Sequence, residues 1–241
     1  MLRFAFALLL AATPALAEEM TLEERESFRA EVRAYLLENP EVLVEAMDVL
    51  QARQAEAAAM ADIQALQGNK DAILASKGDW VGGNLQGDVT VVEFMDYRCT
   101  YCRKAYAEVA NLVEGDGNIR LVVKELPILG PDSLTSSQFA IAVRMLHGDA
   151  AYEATHDALI TLRGTPDPET LARLAESLGH DPKAILDKMA TPEVAEVIAA
   201  NHALAQALNI TGTPTFVIGN EMLRGYVPED GMREIVAAAR G

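Results

Sequence analysis

Val89-Thr90-Val91-Val92-Glu93-Phe94-Met95 runs through Asp96-Tyr97-Arg98 into Cys99-Thr100-Tyr101-Cys102, and this stretch decides the fold. Its first seven residues are mostly β-branched or apolar and barely alternate, which predicts a strand covered on both faces. Arg103 to Glu114 has helical character, so the cysteines stand where a strand hands over to a helix. They are the only two cysteines of the chain. Two thiols three positions apart can close on each other, open again and pass electrons to another protein. A single pair is too few for a disulfide framework, so it is either reactive or one local staple.

Downstream, Gly115-Asp116-Gly117 turns the chain, and Ile119 to Lys124 gives a second strand parallel to the first. That makes a right-handed strand–helix–strand unit. From Pro131 to about Ala200 the pattern is helical, broken at Gly148, Gly164-Thr165-Pro166, Gly179 and Thr191-Pro192. It predicts an inserted helical domain over about 131–195, then a helix from about Pro192 to Leu208. Thr215 to Ile218 and Glu221 to Arg224 form a hairpin about Gly219-Asn220, and Glu229 to Arg240 a closing amphipathic helix.

Upstream, residues 18–76 are rich in Glu, Ala and Gln, with no glycine before Gly68. Thr21 with Glu24 spells a capping box for a helix to about Glu38. Asn39-Pro40 ends it and opens a second helix to about Gln67. Leu43, Ala46, Leu50, Ala57 and Met60 fall near a 3–4 spacing that Arg53 interrupts, an imperfect coiled-coil seam whose apolar stripe needs a partner. Self-association through residues 18–67 is expected, rather than folding back on the rest of the chain. Gly68, Gly78, Gly82, Gly83 and Gly87 punctuate a linker into a domain spanning 77–241. At the front, Arg3, the apolar run Phe4 to Ala12, Pro14 and Ala15-Leu16-Ala17 read as a secretory signal peptide, residues 1–17, cleaved after Ala17. The remainder then works in an oxidising compartment. A net charge of −16 argues against nucleic acid and anionic lipid as partners and favours proteins or small molecules.

Cys99 opens its helix, where unpaired N–H groups and the helix dipole favour thiolate, so its pKa is expected below the ordinary value. Arg98 and Arg103 add positive charge nearby. Cys102, one turn on, can attack a mixed disulfide formed at Cys99. The expected roles are an exposed nucleophile, Cys99, and a more buried resolving thiol, Cys102. Glu93 interrupts an apolar strand; a buried carboxylate needs a partner, which Lys124 could be, and could move protons for Cys102. The competing reading has Glu93 reaching solvent at a strand edge. A tetrahedral zinc site would need two further ligands, and His147, His156, His180 and His202 lack ligand spacing. No metal and no cofactor are expected.

The order of strand, Cys-x-x-Cys, helical insertion, Thr213-Pro214 and hairpin is similar to the DsbA-like family of bacterial thiol–disulfide oxidoreductases, over Val89 to Gly241. Lys124-Glu125-Leu126-Pro127-Ile128-Leu129-Gly130 and Gly212-Thr213-Pro214-Thr215-Phe216-Val217-Ile218-Gly219 resemble family signatures. The resemblance implies an α/β, thioredoxin-like fold with an inserted helical domain and an N-terminal helical arm. It implies a cis Pro214 against the disulfide, with the backbone of Thr213 free to pair with substrate. Glu93 matches a family Glu that stands six residues before the first cysteine, and Lys124 matches a nearby family Lys. The arm, with Tyr35-Leu36-Leu37-Glu38-Asn39-Pro40-Glu41-Val42-Leu43, resembles the ScsC-like branch, whose members can oligomerise through it and act as isomerases.

Strongly oxidising members carry Pro-His between the cysteines, whereas this chain has Thr100-Tyr101, closer to the Gly-Tyr of dedicated isomerases. Implied partners are unfolded or misoxidised secreted proteins, held near Thr100, Tyr101, Thr213 and Pro214, and a membrane redox partner. The implied location is the periplasm. Two other readings fit a lone exported dithiol: a Cu(I)-handling protein, since paired soft thiolates suit that metal, and a redox-inert protein acting through its arm.

Overall fold

The computed structural model describes residues 20–74 and 78–241; the expected signal peptide lies outside them. The chain divides into two compact units, residues 1–56 and 57–241.

In the smaller unit, Thr21 caps helix α1 (Leu22–Glu38). The Thr21 hydroxyl accepts from the Glu24 N–H, and the Glu24 carboxylate accepts from the Thr21 N–H at 2.8 Å, the reciprocal pair the sequence spelled. Asn39 ends α1, and α2 (Glu41–Gly68) begins just after Pro40. No residue of α1 is buried, and Phe28, Val32 and Leu37 lie open. Leu43, Val44, Met47 and Leu50 of α2 are likewise exposed.

The larger unit is built on one sheet, in the order β1-β3-β2-β4-β5. Its strands are β1 (Trp80–Gly83), β2 (Val89–Met95), β3 (Ile119–Glu125), β4 (Thr215–Ile218) and β5 (Glu221–Arg224). β2 and β3 are parallel and joined by helix α4 (Thr100–Asp116); the other neighbours pair antiparallel. Helices α5 (Pro131–His147), α6 (Asp149–Thr161), α7 (Pro168–Ser177), α8 (Pro182–Met189) and α9 (Pro192–Ala207) separate β3 from β4, and α10 (Glu229–Arg240) closes the chain.

Side chains alternate across the central strands and feed two cores. Val91, Met95, Leu121 and Val123 pack with Ala105, Val109 and Leu112 of α4, with the insertion, and with Met232 and Val236 of α10. Val92, Phe94, Val122 and Val217 pack with Leu204 and Leu208, and with Leu66 at the end of α2 and Ile73 of helix α3 (Lys70–Leu74). Arg224 of β5 also holds Asp62 of α2 through two bonds, at 2.6 and 2.9 Å. Asp62, Leu66 and Ile73 belong to the larger unit, which begins at Ala57.

β1 falls where the sequence reads as glycine-rich linker. Gly82 is required there because the Trp80 ring lies over it: a Cβ on Gly82 would stand 2.0 Å from that ring. The indole Nε1 donates to the Asp149 carbonyl at 3.1 Å, tying β1 to the first turn of α6.

Candidate active site

Cys99 is the N-cap of α4 and Cys102 sits in its first turn. Both are free thiols. Cys99 keeps 7 % of its surface and Cys102 1 %. The expected order of exposure therefore holds, but Cys99 is buried rather than open. The cover is the loop before β4: the Cys99 thiol donates to the Thr213 carbonyl at 3.1 Å, and Thr213-Pro214 is a cis peptide. Thr100 and Tyr101 are exposed beside it, Tyr101 at 61 %.

Asp96 holds the approach to Cys99. Its backbone carbonyl accepts from the Cys99 N–H at 3.1 Å, and its carboxylate accepts from the Arg98 N–H at 2.7 Å. The other carboxylate oxygen accepts from the N–H groups of Ile128 and Leu129, at 2.8 and 3.1 Å. One buried side chain thus fastens the cysteine loop to the loop after β3, where Ile128 and Leu129 are exposed. Tyr101, in the first turn of α4, is a further exposed apolar side chain.

Glu93 is buried in β2, a strand with neighbours on both sides, so it does not reach solvent at an edge. Nor does Lys124 pair with it. The parallel register sets Glu93 opposite Val123 and Phe94 opposite Lys124, which sends Glu93 and Lys124 to opposite faces of the sheet. Lys124 instead forms a buried ion pair with Asp79, whose other oxygen accepts from Asn201 Nδ2 at 2.9 Å.

Glu93 and Cys102 both line a cavity of about 620 Å³ between the sheet, α4 and α6. Burial, then the charge of Glu125, pushes the Glu93 carboxyl up to about 8. Burial, then the charge of Glu93, pushes the Cys102 thiol far above its ordinary range. Both groups therefore hold protons at neutral pH, on the wall of one cavity.

Glu125 is the site residue the sequence reading passed over. It ends β3 on the Glu93 face and is 2 % exposed. Its carboxylate accepts from Tyr97 at 2.9 Å, Tyr152 at 2.6 Å and Ser137 at 2.7 Å. These donors come from the cysteine loop, α6 and α5, so one acid joins the insertion to the active-site strand. Burial raises Glu125 to about 7 against the pull of those three bonds. The Tyr97 hydroxyl also lies 3.0 Å from His156 Nδ1, and desolvation lowers His156 to about 4, leaving it neutral. The available signal was the adjacent pair Lys124-Glu125 ending an apolar strand: neighbours on a strand face opposite ways, so each needed a separate buried partner.

Among the described residues, no group of three or more His, Cys, Asp or Glu side chains is placed to hold a metal. No helix there is long and apolar enough to cross a membrane.

Comparison with known proteins bears directly on this geometry. Residues 90–237 match the model of the DSBA-like thioredoxin domain, and residues 24–57 match that of the copper resistance protein ScsC N-terminal domain. A thioredoxin-like oxidoreductase from Silicibacter pomeroyi is 41% identical, with a TM-score of 0.67, covering 71% of this chain and 98% of that one. BcfH from Salmonella enterica Typhimurium is 26% identical, with a TM-score of 0.76, covering 91% and 97%. Among curated relatives, the Na(+)/H(+) antiporter NhaA 1 of Salinispora arenicola is 31% identical over 162 residues, 67% of this chain. The match spans about a quarter (24%) of that antiporter's length.

Proposed function

The chain belongs to the DSBA-like thioredoxin domain family, and from that premise we propose that it is exported and exchanges disulfides with cysteines of secreted proteins through a mixed disulfide at Cys99. The observation that carries this reading is the pairing of two unequal thiols at one helix start. Cys99 touches the Thr213 carbonyl beside Pro214, while Cys102 is almost fully buried and lines the same cavity as Glu93.

In the oxidising direction, a substrate thiolate attacks the sulfur of Cys99 in the Cys99–Cys102 disulfide, and the pair's S–S bond breaks. The electron pair leaves on Cys102, which takes a proton; in this reading protonated Glu93, on the wall of the same cavity, supplies it. A second substrate thiolate then attacks the substrate sulfur of the mixed disulfide, forming the new disulfide and releasing Cys99 reduced. In isomerisation, the reduced Cys99 thiolate attacks a wrong disulfide, and a freed substrate thiolate later displaces it, with no net change of electrons.

Isomerisation is the direction we favour. Thr100-Tyr101 places no histidine between the cysteines, and the N-terminal match to an ScsC domain accompanies an arm whose α1 buries nothing of its own. An arm that self-associates would gather several reduced sites around one substrate. Periplasmic export, a membrane reductant as redox partner and unfolded or misoxidised proteins as substrates complete the proposal.

The test is refolding of scrambled ribonuclease against oxidation of the reduced enzyme, using the full chain and Val32→Glu in the arm. The reading expects scrambled-substrate activity that depends on Cys99 and falls when Val32→Glu breaks the oligomer. Isomerase activity that survives in a proven monomer would overturn the link to the arm. Loss of Cys99 without loss of either activity would overturn the reading itself.

A further inference from the structure

The cavity behind Cys102 has more room and a more particular lining than a buried proton donor requires. Its volume, about 620 Å³, falls in the range of small-molecule sites. Its inner wall carries Met95 and Val123 beside Glu93 and Cys102, and its sides are the aromatic rings of Trp80, Tyr106, Tyr152 and His156. Trp80 and Tyr152 stack with ring centroids 5.7 Å apart, and Tyr152 and His156 at 5.9 Å, so the three rings hold one another in place.

Charge is distributed unevenly around it. Glu114, Glu153 and Asp157 are exposed and line the cavity, while no lysine or arginine lines it among the described residues. The Tyr106 hydroxyl donates to Asp157 at 2.6 Å, which fixes a ring and a carboxylate beside each other. Burial keeps Glu93 and His156 uncharged at neutral pH, so nothing inside opposes the anionic mouth. The carboxylates attract cations, and the partly exposed Tyr106 ring held beside Asp157 adds an aromatic contact, whereas anions meet three negative charges.

We propose that this cavity is a binding site for a small organic cation, an alkyl- or arylammonium whose hydrocarbon part fills the aromatic interior and whose charge rests at the mouth between Tyr106, Glu153 and Asp157. The site lies on the Cys102 side of α4 and is separate from the Thr213-Pro214 surface beside Cys99.

Trp80 is the only tryptophan of the chain, so its fluorescence reports occupancy directly. The reduced full chain is titrated with benzyltrimethylammonium, with benzyl alcohol as a neutral probe and 3-phenylpropionate as an anionic one. The site predicts a saturable change with the cation, at least about tenfold tighter than with either control, the scale of one cation–π contact plus a partly desolvated charge pair. Glu153→Gln/Asp157→Gln, at two exposed positions, should weaken the cation severalfold and leave benzyl alcohol unchanged. Tyr106→Leu should weaken it independently. Absence of a saturable signal, equal binding of all three probes, or cation binding untouched by the carboxamide pair would each overturn the assignment. Because the titration involves no thiol exchange, its outcome is read apart from the proposed activity.

Discussion

The Tyr97 hydroxyl lies 2.9 Å from Glu125 Oε1, and Tyr97 stands two residues ahead of Cys99. The Tyr97 carbonyl in turn accepts from Arg103 Nε at 2.8 Å, inside the first turns of α4. A buried acid at the end of β3 is therefore one side chain away from the cysteine loop. Glu125→Gln keeps the shape but turns one acceptor oxygen into a donor, leaving three hydroxyls to share a single carbonyl. We expect a loss of about 1–3 kcal/mol in unfolding free energy. Removing the Glu125 charge should also lower the pH at which Glu93 ionises, visible as an acid-shifted pH profile of thiol exchange. A stability loss with an unmoved profile would leave Glu125 as packing alone.

Cys99→Ser should reduce disulfide exchange to about 1% or less, because no other thiol reaches substrate. Cys102→Ser should instead accumulate mixed disulfides with substrate, seen as slower bands on non-reducing gels. Equal trapping by both variants would contradict the assigned roles.

Glu93 makes stability depend on pH with a defined sign. Its carboxyl titrates at about 8 in the folded chain and near 4.5 when unfolded, so between those values the folded state holds the extra proton. Its contribution is complete below pH 4.5 and is lost as pH rises through 8, at about 1.4 kcal/mol per unit. Glu93→Gln should flatten this limb, raising the relative melting temperature at pH 8–9. An unchanged slope in denaturant titrations across pH 5–9 would refute the burial argument.

His156 produces the opposite limb. Desolvation lowers it to about 4, so the unfolded chain binds its proton first, and stability falls as pH drops from 6.5 towards 4. His156→Gln should remove that acid-side loss, measured by the same titrations.

Lys124→Met leaves Asp79 as an uncompensated buried charge, and we expect about 3–5 kcal/mol of destabilisation. Lys124→Met/Asp79→Leu should recover much of it, leaving only the lost partner of Asn201. Exchange activity per folded molecule should stay near that of the parent, since Lys124 faces away from Cys102.

The strand–helix–strand unit, the hairpin and the closing helix were legible because each carries a local signal: apolar runs, a Gly219-Asn220 turn, an amphipathic stripe. The cysteines announced their place through spacing alone. What stayed hidden depends on register. Nothing in Val-Val-Lys-Glu says that Lys124 will meet Asp79, 45 positions earlier, until β3 is laid beside β2 one residue out of step with Glu93. β1 escaped because Gly82-Gly83 signals a turn, and only the Trp80 ring explains why a strand there must lack a side chain. The buried Asp96 and the polar side of Tyr97 were invisible for the same reason: their partners come from loops and helices distant in sequence.

Alternation along β3 has one more consequence. Lys124 and Glu125 are adjacent in the chain, yet the sheet runs between them like the membrane of a battery. On one side sits the buried ion pair of Lys124 and Asp79. On the other lie Glu93, Glu125 and Cys102, whose ionisation burial opposes. On the proposed activity, substitutions on the Cys102 face should leave the ion pair on the far face in place. A shift of β3 by a single residue would exchange the two.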